Sequence, residues 1–99
     1  MDSRRISDAV VAWTGWGEMA WPSRSEERVA RRFGEADARS LMVDVRAWEE
    51  DFYRSDAKDV TRTLVEMGAR AESDFRRIHP EASDEAVRSL SWCYMFDFK

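Results

Sequence analysis

Between Ala36 and Arg54, five apolar residues, Ala38, Leu41, Val45, Trp48 and Phe52, recur at steps of three, four, three and four. That spacing follows the repeat of an α-helix and lays all five along one stripe, while Asp44, Arg46, Glu49, Glu50 and Arg54 fall on other faces. A chain of 99 residues has room for one core and buries about two-thirds of the surface its unfolded form exposes. A stripe this regular therefore specifies a central helix around which the remaining segments must pack, and residues 1–99 read as a single domain.

The flanking segments carry the same period. Ser3 to Thr14 places Ile6, Val10 and Trp13 on one side, with Asp2 and Ser3 positioned to accept hydrogen bonds from the first free amides, and Gly15 and Gly17 stop this helix. Trp16 to Pro22 reads as a loop bearing large aromatic side chains. Ser23 and Glu26 stand at capping-box spacing directly after Pro22, which predicts a short second helix ending at Gly34. After a tight break at 55–57, Val60, Leu64, Met67, Ala71, Phe75 and Ile78 predict a helix from Ala57 to Ile78. It would lie antiparallel to the central helix, with Glu66–Arg70 and Glu72–Arg76 pairs on its outer face. Gly68 interrupts this stretch, either as a kink or as a low patch on which an indole can lie. His79-Pro80 ends it, and His79 is expected to set its ring over the terminal carbonyls. A last helix starts near Ser83 and runs to about Tyr94, followed by an extended, docked tail.

The expected fold is thus all-α, a five-helix bundle with two long antiparallel central helices. One segment offers a second reading. Leu90, Trp92, Tyr94, Phe96 and Phe98 alternate at period two, which is a strand pattern. Its only available partner is the stretch from Leu41 to Ala47, and the alternative is an α+β fold with a small two-stranded sheet from 41–47 and 91–98.

Charge narrows the function classes. Twenty acidic residues against sixteen basic ones leave a net charge of −4, and no basic run exceeds a pair. Nucleic-acid binding needs a concentrated positive face that displaces phosphate counterions, so no such partner is expected. The single cysteine, Cys93, cannot form an internal disulfide. The longest early apolar run, Ala9 to Trp13, is far too short to span a bilayer, so no membrane association and a cytoplasmic location are expected. The chain contains no Asn or Gln, and Lys58 and Lys99 are its only lysines, a usage that fits a GC-rich bacterial coding sequence.

Reactive constellations are sparse. His79 is the only histidine, and Arg76 stands where the Glu of a Glu-x-x-His metal motif belongs; no cysteine pairs are present, so neither metal nor cofactor is expected. Cys93 lies among Trp92, Tyr94, Met95 and Phe96 and reads as core filler. Gly15 and Gly17 lack the lysine and the preceding strand of a phosphate loop. The run Glu49-Glu50-Asp51 points three ways from a helix and reads as a solvated face or as one that meets a basic partner.

The tryptophans carry the remaining signal. Trp13, Trp48 and Trp92 read as core. Trp16 and Trp21, on a glycine-flanked loop beside Arg24 and Arg28, have the composition of an interface hot spot. Candidate binding residues are therefore Trp16, Trp21, Arg24, Arg28, Glu49 and Glu50. The sequence is read as a small acidic, non-catalytic protein-binding module of the immunity, antitoxin or regulatory kind, meeting a basic protein partner. The C-terminal aromatics are a second expected contact, between two copies of the chain. The alternatives are a small-molecule-binding protein with a Trp-lined pocket between the first loop and the last helix, and an enzyme using His79 or Glu49 as acid or base.

Overall fold

The computed structural model describes residues 2–99. Apolar stripes at helical spacing produce helices throughout: α1 (Ser3–Thr14), α2 (Glu26–Phe33), α3 (Glu35–Phe52), the single turn α4 (Ala57–Val60), α5 (Leu64–Ile78) and α6 (Asp84–Asp97). No strand occurs among the described residues, which removes the two-stranded alternative. All five residues of the central stripe are buried in α3, and Met42 joins them.

Three boundaries differ from the sequence expectation. The N-cap of α2 is Ser25, whose Oγ accepts from the Arg28 N–H at 3.3 Å, and not Ser23. Ser23 is held back because its own N–H donates to the Thr14 carbonyl at 3.0 Å, and Ser25 N–H to that of Trp13 at 2.9 Å. These two bonds keep the chain extended along the end of α1 until Glu26.

The segment 57–78 is broken. Thr61 turns its hydroxyl back to the Ala57 carbonyl at 2.6 Å, and Thr63 caps α5 by accepting from the Glu66 N–H at 3.1 Å. Glu66 in turn accepts from the Arg62 N–H at 3.2 Å instead of pairing with Arg70. Arg70 reaches Asp56 and Asp74, and Arg76 reaches Asp84, so neither expected helix-face pair forms.

The C-terminal segment is helical to Asp97. The alternating pattern misleads because α6 is covered on more than one side. Ala86, Val87, Leu90, Cys93 and Tyr94 face the core, while Trp92 and Phe96, one turn apart, form a second and more exposed apolar line. Buried Tyr94 fixes the register. Its hydroxyl donates to the Ser55 carbonyl and accepts from the Lys58 N–H, each at 3.1 Å, and ties α6 to the α3–α4 joint.

Helices α3 and α5 do run antiparallel, since Asp51–His79, Phe52–Phe75 and Ser55–Asp74 pair in reverse order. They overlap only near their C-terminal ends. Helix α1 lies beside α6: Ser7 accepts from the Ser83 N–H at 3.1 Å at one end, and Trp16 meets Trp92 at the other. Helix α5 packs along α6, and Gly68 lets it come close. A Cβ at Gly68 would lie 2.7 Å from Met95 Sδ and 3.1 Å from Ser91 Oγ, so the neighbour there is methionine and not an indole. Helices α2 and α3 are joined through Gly34 alone, whose φ of +86° suits a residue without a side chain.

Candidate functional site

The loop between α1 and α2 is built from the end of α1 outward. Gly15 closes α1 with φ +84° and donates to the Val11 carbonyl. The Met19 N–H returns to the Gly15 carbonyl at 2.8 Å, forming a tight turn through Trp16 and Gly17. Arg28, projecting from α2, then gathers the free carbonyls of this region. Its Nε donates to Ala12 at 2.7 Å, and its Nη2 donates to Trp13 at 2.9 Å and also to Ser23. A planar guanidinium supplies this fork of donors, and the charge suits the negative end of helix α1.

Arg24 pins the other end of the loop. Its Nε donates to Glu49 Oε2 at 2.6 Å, and its Nη2 donates to the Tyr53 hydroxyl at 2.8 Å and to Asp97 Oδ2 at 2.9 Å. Tyr53 completes the ring by donating to Asp97 at 2.5 Å. Burial alone would weaken the protonation of Arg24, but the Glu49 and Asp97 carboxylates outweigh it and hold the cation more firmly than in water. Burial, with the hydrogen bond to Asp97, pushes the Tyr53 hydroxyl well above its ordinary range. Arg24, Arg28 and Glu49 thus anchor the loop from beneath, whereas Glu50 is exposed on the outer face of α3.

What the anchored loop presents is apolar. Trp16 is half-buried, its ring edge-on to Trp92 at 5.3 Å. Trp21 projects with 60% of its surface exposed, and Met19 is exposed beside it in the loop. Trp13 and Trp48 are core residues, and Trp92 is half-buried. At the C-terminus, Phe98 rests on Tyr94 and Tyr53 at 4.8 and 5.8 Å, yet Phe98 and Phe96 keep 39% and 42% of their surface exposed.

Tyr53 and Asp97 were absent from the sequence-derived candidates, and no local signal could have supplied them: they lie 29 and 73 residues from Arg24. A cleft of about 540 Å³ adjoins the loop on its far side, between the end of α1, α2 and the first turn of α6. Arg31 and Arg32 on its wall follow Arg28 at helical steps, and that spacing was readable from the sequence.

His79 sits elsewhere, at the C-terminal end of α5. Its ring stacks between Trp48 and Phe75, each at 5.0 Å, and not over helix carbonyls. Nε2 meets Asp51 at 2.7 Å and Nδ1 meets Glu81 at 3.1 Å. Both ring nitrogens are thus directed at carboxylates. The Glu81 carboxyl is held below its usual range by its own backbone N–H and by His79. Cys93 is fully buried, and desolvation pushes its thiol up to about 12, far from a reactive thiolate at neutral pH. Among the described residues no cluster of three His, Cys, Asp or Glu side chains is placed to hold a metal ion, and no helix is long and apolar enough to cross a membrane. Compared with models of known protein families, with characterised proteins and with solved structures, the chain matches none, so the reading of this site rests on its own geometry.

Proposed function

We propose that this chain is a small acidic protein-binding module without catalytic chemistry, of the immunity, antitoxin or regulatory kind, and that it meets its partner through the Met19–Trp21 tip. The observation that carries this reading is a large indole, 60% exposed, on a loop held by two arginines and two backbone bonds to α1. A flexible loop would lose much of its contact energy to ordering on binding, whereas an anchored one presents its aromatic group already in place. The net charge of −4 favours encounter with a basic partner surface.

Placing a photo-crosslinking residue at position 21 in the native host tests the reading, followed by affinity measurement on the protein recovered. A stoichiometric partner is expected, and Trp21→Ala should weaken it by about thirtyfold, roughly 2 kcal/mol, as hot-spot aromatics do. Thermal stability should stay within about 0.5 kcal/mol, because the side chain is largely in solvent. Affinity unchanged by Trp21→Ala, or no stoichiometric partner at all, would count against it.

A further inference from the structure

The cleft beside the loop has a chemistry of its own. Its volume of about 540 Å³ falls within the range of small-molecule sites, about 300–1,000 Å³. One wall is apolar, made by Val11, Ala12 and the half-buried Trp16. The opposite wall carries Arg28, Arg31 and Arg32, against two carboxylates in the lining, Glu18 and Glu85. In a chain with four more acidic than basic residues, a recess in which arginines outnumber carboxylates is a local reversal of sign. Arg28 spends its donors on backbone carbonyls, so it shapes the wall. Arg31 is exposed and unpaired among the described residues, and Arg32 reaches Asp8 only at 3.7 Å. The Arg31 guanidinium remains available for a ligand, and that of Arg32, which also lies over the Phe33 ring at 5.6 Å, is shared with Asp8.

We propose that the cleft binds a small organic anion with a flat apolar body, its ring lying against Trp16 and its negative group held by Arg31 and Arg32. The guanidinium fork matches the two oxygens of a carboxylate or phosphate group, while the indole and the alanine and valine side chains take the apolar part. Bare phosphate would leave the Trp16 side unused, and a cationic ring would face two arginines. The site stands apart from the protein-binding reading, because Met19 and Trp21 do not line it.

The experiment follows the indole N–H resonance of Trp16, assigned with Trp16→Phe, while the protein is titrated with 1-naphthoate, naphthalene-1-methylamine and inorganic phosphate. Naphthoate should shift that resonance saturably in the millimolar range, and the amine and phosphate should not. The double substitution Arg31→Ala, Arg32→Ala should weaken naphthoate by about tenfold or more at unchanged melting temperature. If the double variant unfolds, Arg31→Gln alone, with an exposed side chain, makes the same comparison and should weaken binding severalfold. Equal response to the amine, phosphate binding as tight as naphthoate, an unaffected folded arginine variant, or no response to naphthoate would each overturn the proposal.

Discussion

At Gly68 the absence of a side chain is a packing requirement, and it works against helix propensity. Alanine in a helix interior is favoured over glycine by about 1 kcal/mol, yet here its Cβ would meet Met95 Sδ at 2.7 Å and Ser91 Oγ at 3.1 Å. Gly68→Ala should therefore destabilise the protein by about 1 kcal/mol, within the usual range for overpacking. With Met95→Ala the closest obstacle disappears, and the same substitution should become neutral or stabilising. A urea double-mutant cycle reads the coupling directly, and additive effects would contradict it. Arg28 shows the opposite situation, in which a surface-type residue is built into the framework. Removing its bonds to Ala12, Trp13 and Ser23 should cost about 2–3 kcal/mol in Arg28→Ala. Lysine should recover little, since one ammonium cannot reproduce the fork. The burial of Ala38, Leu41, Val45, Trp48 and Phe52 was legible because period alone dictates it. The task of Arg28 was not, because it depends on carbonyls 15 and 16 residues away along the chain folding back within reach.

At the scale of elements, helix starts are chosen by where the preceding chain is tied down. Ser23 and Ser25 both precede Glu26, and spacing alone favours Ser23 as part of a capping box. The backbone bonds of residues 23 and 25 to Thr14 and Trp13 decide otherwise. Ser25→Ala should thus cost about 1 kcal/mol, the usual loss of an N-cap, while Ser23→Ala should stay within about 0.5 kcal/mol. Equal losses in thermal unfolding would show that the cap had been assigned to the wrong serine. Thr63 with Glu66 carries the same spacing as Ser23 with Glu26, so the start of α5 was written in the sequence and was hidden by the continuous apolar pattern across 60–78. The C-terminal segment was obscured differently. A helix covered on more than one side is apolar on more than one side, and Leu90, Trp92, Tyr94, Phe96 and Phe98 then alternate by coincidence.

At the scale of the whole molecule, the all-α class was legible, but not every helix boundary nor which helices meet. The placing of α1 beside α6, and the short overlap of α3 with α5, go with long-range ties such as Ser83 to Ser7 and His79 to Asp51, which no local period reports. Burial of two further groups sets how the fold answers to alkali. Burial raises the Cys93 thiol from 9.0 to about 12. Burial, with the bond to Asp97, raises the Tyr53 hydroxyl above its ordinary 10.0. Both groups are neutral when protonated, so the folded state keeps their protons after the unfolded chain has released them. The Cys93 contribution to stability is fully present below pH 9 and is withdrawn as pH climbs from 9 to about 12, and that of Tyr53 is withdrawn from pH 10 upward. The urea midpoint should therefore hold steady to about pH 9 and then fall. Cys93→Ala should lower the plateau by about 1 kcal/mol through the lost buried sulfur, yet flatten the descent that follows. Tyr53→Phe should do the same from pH 10 upward, while also releasing one of the partners of Arg24. Descents equally steep in wild type and both variants would mean that neither proton is held by the fold.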